Sequence, residues 1–266
     1  DMGAYPTYQG CTDSLTINGT YNPLADTNDG TCEFPDNGDY HLSFDGVDDY
    51  VIVENSENIN LGNGTIAVWV RIEELFDDLG SQQTDYYTIL AKESLDNNIG
   101  DGVLGFGNIH NGVDFIENKF FMRIVDNNSE VHFINSEFNI SSNEWYLVIA
   151  KFGNNGMELS INGETPIYVS NQYGWINNNS LLIGTLFTDG GGRFYNGKIN
   201  ELKIWDIGID IYDIINGEHI DNEISVYYKF NAGTGTILYD HSGNGNHGTI
   251  NGAPWIFDYS LELHEG

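Results

Sequence analysis

The chain has 266 residues, with 40 acidic and nine basic side chains and a formal net charge of −31. This charge argues against binding to nucleic acid or to anionic membrane surfaces, because both require positive charge. No stretch approaches the ~18 consecutive apolar residues that a transmembrane helix needs. The composition is typical of a soluble secreted protein, of one that binds divalent cations, or of one from a salty habitat. The chain begins at Asp1 without a signal peptide, which indicates a mature or trimmed form.

Residues 1–38 are predicted to form a small separate module. The segment is too short and polar to bury a core, so it requires a cross-link or a bound ion. Cys11 and Cys32 are the only cysteines of the chain, and this isolated pair predicts a disulfide and an oxidising compartment. The alternative is two reduced structural thiols.

A bound cation would be a second means of stabilising this module, because hard cations bind oxygen ligands. The candidate ligands are Asp13, Asn22, Asp26, Asn28 and Asp29. Their spacing does not match an EF-hand loop, and a solvated acidic turn is the alternative.

Residues 39–266 are predicted to form one all-β domain. Between Thr65 and Ile72, apolar residues alternate with Ala67, Trp69 and Arg71, which indicates a sheet with two different faces. Further strands are predicted within 40–54 and at 86–92, 103–106, 119–125, 131–134, 145–152, 158–161 and 181–184. One short helix is predicted over 209–216. Strands at this spacing, with turn signals between them, predict a two-sheet antiparallel β-sandwich.

The loop Asp240–Gly248 is the most conspicuous motif of the chain. Its alternating glycines permit a tight backbone, and its side chains offer clustered oxygens of the kind that Ca²⁺ prefers. The predicted ligands are Asp240, Asn244 and Asn246. The alternative is a plain hairpin loop whose Asx side chains bond their own backbone.

Several segments together resemble one family. Phe230 with Gly233 and Gly235, followed by the Asp240–Gly248 loop, resembles the signature of laminin-G-like, concanavalin A-like jelly-roll domains of secreted bacterial proteins. Upstream segments resemble other strands of that family, namely Leu42–Val51, Thr65–Val70, Glu144–Phe152, Met157–Gly163 and Gly197–Trp205. The resemblance implies a jelly roll on the cell surface, and residues 10–32 resemble a short repeat of secreted bacterial proteins.

The order of these segments departs from the family pattern. In many members the Asp-x-Ser-Gly-Asn segment precedes the entry strand, whereas here it follows the whole sandwich. The tail Val226–Trp255 therefore either completes this sandwich or begins a second domain. We predict the first, because an isolated strand pair rich in Tyr, Phe and Ile would expose an apolar edge.

No catalytic constellation is visible, since no strand presents the paired carboxylates of a glycosidase. The resemblance implies binding instead, with glycans held by flat aromatic faces and Asn side chains. The predicted ligand-binding residues are Tyr173, Trp175, Asn177, Asn178, Phe194 and Tyr195. The alternative for Trp175 and Phe194 is that they plug the rim of the sandwich.

We therefore expect an extracellular, calcium-dependent module that binds a glycan or a cell-surface protein, without catalytic activity. The alternative is a structural subunit of a surface filament or adhesin that associates with other copies of itself, and a polysaccharide-degrading enzyme is a less favoured one.

Overall fold

The computed structural model describes residues 7–76, 85–93, 100–110, 115–126, 128–137, 139–170, 174–188, 193–218 and 224–257. Their strands are β1 (Gln9–Gly10), β2 (Thr27–Asn28), β3 (Tyr40–Asp45), β4 (Tyr50–Val53), β5 (Gly64–Ile72), β6 (Asp85–Lys92), β7 (Gly102–His110), β8 (Phe115–Val125), β9 (Val131–Asn135), β10 (Trp145–Gly153), β11 (Gly156–Ile161), β12 (Ile167–Val169), β13 (Leu181–Ile183), β14 (Asn196–Trp205), β15 (Ile224–Tyr228), β16 (Ile237–Leu238), β17 (Gly248–Asn251) and β18 (Trp255–Phe257). The helices are a 3₁₀ turn, Glu57–Ile59, and α1, Ile211–Ile215.

The strands form two eight-stranded antiparallel sheets, which confirms the predicted all-β sandwich. The first sheet has the order β12-β11-β10-β5-β14-β3-β18, and β15 also pairs with β14. The second sheet has the order β16-β17-β4-β13-β6-β7-β8-β9. A separate parallel pair, β1 and β2, lies in the N-terminal segment.

The core fills the space between the two sheets. Along β5, Ile66, Val68, Val70 and Ile72 are fully buried and contribute to one large hydrophobic cluster. The alternation that is visible in the sequence therefore marks the inner face of the first sheet, and the intervening residues point outward.

The tail strands complete both sheets. Strand β15 pairs with β14 and β18 pairs with β3 in the first sheet, whereas β16 and β17 extend the second sheet beside β4. The loop that begins at Asp240 thus connects strands that belong to one sandwich.

Strands β7 and β8 extend beyond the predicted 103–106 and 119–125. Glycines interrupt the apolar alternation of β7, and they lie where aromatic residues approach the backbone. A Cβ at Gly105 would be 2.7 Å from the ring of Phe121. Glycine at position 105 makes room for the ring of Phe121, and it does not end the strand.

Helix α1 lies within the predicted 209–216, and the carboxylate of Asp210 caps it by accepting the Tyr212 N–H at 2.9 Å. Ile211 belongs to a small apolar cluster with Ala67, Ile149 and Trp205. Because Ala67 and Ile149 face outward on β5 and β10, the helix segment covers one end of the outer face of the first sheet. The other end of that face is not covered by the helix.

The N-terminal segment contains the predicted disulfide between Cys11 and Cys32, which is thereby confirmed. Neither of the described helices has the length and apolar character needed to cross a membrane.

Candidate functional site

The carboxylate of Asp240 is fully buried and accepts four hydrogen bonds. Its Oδ1 accepts the N–H groups of Tyr227 and Ser242, each at 2.9 Å. Its Oδ2 accepts the Ser242 hydroxyl at 2.8 Å and the Asn246 N–H at 2.9 Å. Two acceptor sites per oxygen are thereby filled. In this arrangement Asp240 does not fit a calcium ion, because no lone pair is left for one.

The two asparagines of the predicted calcium set also bond to the protein. The Asn246 amide donates to the carbonyl of Ser225 at 3.0 Å and accepts the Ser56 hydroxyl at 2.7 Å. The Asn244 amide donates to the carbonyls of Ile224 and Ser225, at 3.0 and 3.1 Å. The hydrogen bonding of this loop matches the alternative interpretation, in which Asx side chains satisfy the backbone.

The predicted N-terminal cation ligands also bond to nearby backbone groups. Asp13, Asn22, Asn28 and Asp29 each accept the N–H two residues further on, at 2.8 to 3.1 Å. Asp26 accepts the N–H of Tyr8 at 2.9 Å. The four contacts two residues apart are Asx turns, which need no ion to be stable.

Two other groups of metal-binding side chains gather within the described residues, and the sequence analysis did not select either. They are Asp45, Asp48 and Asp49, and Asp126, Glu130 and His132. Burial raises the pKa of Asp49. The N–H of Glu130 lowers the pKa of Asp126. Acidic groups of this kind are common without an ion, so geometry alone assigns them no metal.

The N-terminal segment docks directly onto the Asp240 loop. Nδ1 of His247 accepts the backbone N–H of Asp240 at 2.9 Å, so the proton of the neutral ring is on Nε2. That Nε2–H donates to the carboxylate of Asp13. The Asn28 amide donates to the carbonyl of Gly243 at 3.0 Å. Two side chains of the predicted N-terminal cation set, Asp13 and Asn28, therefore help to join this segment to the loop.

Aromatic packing strengthens the same junction. The ring of Phe34 contacts the rings of Tyr239, His241 and His247, with centroid distances of 5.2 to 5.5 Å. Burial, with a smaller contribution from the charge of Lys229, lowers the pKa of His241 to about 4. His241 is therefore neutral in the folded protein at pH 7.

The structure buries the central residues of the predicted glycan-binding cluster. Trp175 is 1% exposed and stacks on Phe152 at a centroid distance of 5.3 Å. Tyr195 is completely buried, and its hydroxyl donates to the carbonyl of Arg71 at 3.0 Å. Neither ring can offer a face to a sugar in this arrangement, and the rim-plug alternative describes Trp175. Phe194 is half-buried and Asn178 is exposed, whereas Tyr173 lies outside the described residues.

Asn177 belongs to a buried polar cluster around Lys92. The Lys92 ammonium donates to the side-chain oxygens of Asn55 and Asn60 at 3.0 and 2.7 Å, and to the carbonyl of Asn177. The Asn177 amide in turn donates to Asp101 at 3.1 Å. Burial lowers the pKa of Lys92 to about 8. This cluster ties together three loops at one end of the sandwich, and its donors and acceptors are directed at one another.

A different surface presents open aromatic groups. Three rows of outward side chains cross β10, β5 and β14, namely Trp145, Arg71 and Lys198; Leu147, Trp69 and Asn200; and Ile149, Ala67 and Lys203. The helix segment covers Ala67 and Ile149 of the third row and also contacts Leu147 of the second row. We call the first two rows the Trp face, and apart from Leu147 they lie outside the cluster that the helix segment forms. Trp69 is 36% exposed and is the only tryptophan among the exposed large hydrophobic residues that the structure describes.

The side chain of Trp145 extends across the Trp face. Trp145 starts on β10, and its ring meets that of His41 on β3 at a centroid distance of 5.8 Å. Strands β5 and β14 lie between these two strands, so the backbones are about 14 Å apart. The indole must therefore extend across the sheet surface towards β3, in the row next to that of Trp69.

The sequence contained a signal for this surface. Trp69 and Arg71 alternate with the buried residues of β5, which predicts that they point away from the core. The neighbours from β10 and β14 become visible only with the strand order, because they are about 80 and 130 residues further along the chain.

The fold is a two-sheet antiparallel jelly-roll sandwich of the lectin-like class. The sequence profile of the concanavalin A-like lectin/glucanases superfamily matches residues 45–210. This range is more than half of the chain, and the chain therefore belongs to that superfamily. A search of curated proteins finds no match.

Solved structures share the architecture at low sequence identity. A candidate carbohydrate-binding protein from Bacteroides ovatus has a TM-score of 0.61 at 16% identity, over 86% of this chain and 62% of that protein. A heptameric pentraxin from Limulus polyphemus has a TM-score of 0.47 at 15% identity, over 66% of this chain and 80% of that one. The CBM40 domain of the Ruminococcus gnavus IT-sialidase has a TM-score of 0.47 at 12% identity, over 68% of this chain and 98% of that one. At these identities the likeness shows the fold alone.

Proposed function

We propose that the chain is an extracellular glycan-binding module whose ligand binds to the Trp face. The observation that carries this proposal is the Trp145 indole, which extends across the sheet surface in the row next to that of the exposed Trp69 ring. Two adjacent aromatic faces on a rigid sheet can stack against the apolar faces of sugar rings. Asn200 lies opposite Trp69 and supplies an amide that can both donate to and accept from hydroxyl groups.

The location of these residues favours binding. An exposed aromatic patch on a soluble domain marks an interaction surface more often than it serves the fold. Side chains on neighbouring strands are also held in fixed positions, so little conformational entropy is lost when a ligand binds. Membership of a superfamily that includes lectins, and the likeness to a candidate carbohydrate-binding protein, support a glycan as the ligand.

The proposal includes export from the cytoplasm and an absence of catalysis. A disulfide is stable in an oxidising compartment, which supports a secreted or surface location. The Trp face carries no carboxylate at its six outward positions, so it offers neither the general acid nor the nucleophile of a glycosidase.

Binding to immobilised glycans tests the proposal. Wild-type protein should bind at least one polysaccharide on an array, and Trp69→Ala and Trp145→Ala should each lower the affinity by about tenfold or more, equivalent to about 1.4 kcal/mol. Tyr168→Ala is the matched control, because Tyr168 is 56% exposed at the far edge of the same sheet. Full binding by both tryptophan variants would contradict the location of the site.

A dependence of this module on calcium is a separate proposal, and it is tested on the stability of the folded protein. The hydrogen bonding of Asp240 means that an ion could bind there only by displacing N–H donors. A ligand that binds the folded state raises its melting temperature. Higher Tm in calcium than in EGTA would support a calcium site, and equal values would exclude a stabilising one.

A further inference from the structure

The basic residues of the chain are concentrated around the Trp face. Only nine side chains are basic, against 40 acidic ones. Four of the nine, Arg71, Lys198, Lys203 and Lys229, lie on β5 and β14 or directly after β15. None of the nine outward positions in the three rows across β10, β5 and β14 is Asp or Glu. This is a local reversal of charge on a strongly acidic protein.

Two of these cations have no carboxylate partner within the described part of the chain. Arg71 donates from Nη2 to the neutral side chain of Asn143 at 3.2 Å and makes no ion pair there. Lys229 lies over the ring of Tyr227 at 5.7 Å, also without an ion pair. The chain has 40 acidic side chains, but none of those that the structure describes forms an ion pair with Arg71 or Lys229. Their positive charges remain available to a ligand.

The two lysines of β14 are only partly compensated. Lys198 is 3.9 Å from Glu73, at the limit of an ion pair, and Lys203 is 2.9 Å from Glu201. Glu201 is at the β-bulge of β14 and not in the rows themselves. Both lysine side chains are about one-fifth exposed, at 18% and 20%. A partly exposed ion pair contributes little to stability, so exchanging Glu for a ligand anion costs little.

We propose that the Trp face binds an anionic glycan, one that carries carboxylate or sulfate groups along its chain. This inference rests on the proposed function and specifies the ligand of the same site. A polyanion is repelled by most of this protein and approaches favourably only where the local charge is positive. Arg71 also provides a planar fork that suits the paired oxygens of a carboxylate or sulfate.

The spacing of the cations favours a chain with repeated charges over a single terminal anion. Arg71 and Lys198 lie in the first row, whereas Lys203 lies in the third row. Four residues along a strand separate these rows, a distance of about 13 Å. The Trp69 ring lies between them, so one sugar can stack on the ring while anions on its neighbours bind the two flanking cations.

Two matched pairs of polymers test the inference. Polygalacturonate is compared with its methyl ester, and κ-carrageenan with its desulfated form. We expect at least one charged polymer to bind about tenfold or more tightly than its neutral partner. This preference should fall as NaCl is raised from 50 to 500 mM, because salt screens exposed charges. The pair that discriminates identifies carboxylate or sulfate as the recognised group.

Substitutions on the Trp face test whether the preference for the charged polymer arises there. Arg71→Met and Lys198→Met should each reduce binding of the charged polymer severalfold and leave the melting temperature close to that of the wild type. Lys151→Met is the control, since Lys151 is on the same sheet but lies one row beyond the third, opposite Thr65, and is paired with Glu158 at 2.7 Å. If Arg71→Met does not fold, Lys198→Met decides the question.

The failures of the two proposals are distinguishable. Equal binding of neutral and charged polymers, without salt dependence, overturns the anionic preference and retains glycan binding. Failure of both charged polymers to bind also overturns the anionic preference. If the protein binds no glycan on the array either, the proposed glycan binding is overturned as well. Self-association that Trp69→Ala abolishes, with no polymer bound, would show that a second copy occupies the face and overturns both.

Discussion

The Asp240 loop and the Trp face use their polar groups in opposite ways. In the loop, a buried carboxylate accepts four hydrogen bonds, and its neighbours bond to the backbone around it. On the Trp face, Arg71 bonds to one neutral amide and Trp69 is 36% exposed. In the loop, the protein itself fills every acceptor site of the carboxylate. On the Trp face, Arg71 and Trp69 can still contact a ligand. Conspicuous residues in a sequence therefore do not by themselves identify a binding surface.

Burial explains why the conspicuous region is the structural one. A charged oxygen that leaves water must recover its hydrogen bonds inside the protein, and only a specific loop can provide them. That requirement produces a recognisable run of Gly, Asn and Ser. A binding face on a sheet needs only alternate residues from separate strands, and each strand looks ordinary by itself.

Replacing Trp175 by Ala should have the largest effect on stability. Trp175 is 1% exposed and stacks on Phe152, so truncation leaves a cavity in the core. We expect a loss of about 3 to 5 kcal/mol in the free energy of unfolding. Urea denaturation measures it, with Ile176→Ala as the control because Ile176 is 58% exposed. A near-wild-type result for Trp175→Ala would return this residue to the list of ligand-binding candidates.

Replacing Asp240 by Ala should be the next largest change. The variant leaves the N–H groups of Tyr227, Ser242 and Asn246 without their acceptor, and we expect a loss of about 3 kcal/mol. The loss should be equal in calcium and in EGTA, because the hydrogen bonds alone account for it. Asp206→Ala, at an exposed position, is the control. A loss seen only in calcium would show that the closed arrangement gives way to an ion.

Acid should weaken the junction between the N-terminal segment and the loop. The pKa of His241 is about 4 in the folded protein and about 6.5 when unfolded, so between these values only the unfolded state takes up the proton. The His241 contribution to stability is therefore complete above pH 6.5 and is lost as the pH falls towards 4. The loss is at most about 3 kcal/mol and less after solvent screening.

His241→Gln isolates this effect, because the carboxylates titrate in both proteins and cancel in the difference. Urea denaturation at pH 7, 5.5 and 4.5 should show that wild type loses stability faster than the variant. Parallel pH profiles would mean that burial does not lower the pKa of His241 in the folded protein.

The fold was largely predictable from the sequence. Alternation in β5 identified a two-faced strand, the isolated cysteine pair identified the disulfide, and the apolar tail predicted strands that belong with the rest of a sandwich. These features are local, or follow from the need to bury apolar surface. Strand order is not local, and the Trp face depends on it, because β10, β5 and β14 are distant in the chain. For the same reason the sequence could not show that Trp175 faces inward.

Replacing Trp69 by Ala should have the smallest effect on stability and the largest effect on binding. Its ring is part of an open surface, so removing it buries no unpaired polar group and leaves no enclosed cavity, and we expect a loss below about 1 kcal/mol. Glycan binding should fall by about tenfold or more, because the ring forms half of the aromatic surface. The pair Trp69→Ala and Trp175→Ala thus separates the two roles of tryptophan in one sandwich, since the first should bind poorly and fold well. Paired urea denaturation and glycan titration measure both quantities, and a Trp69→Ala protein that is strongly destabilised would place its ring among the structural residues and leave Trp145 alone on the face.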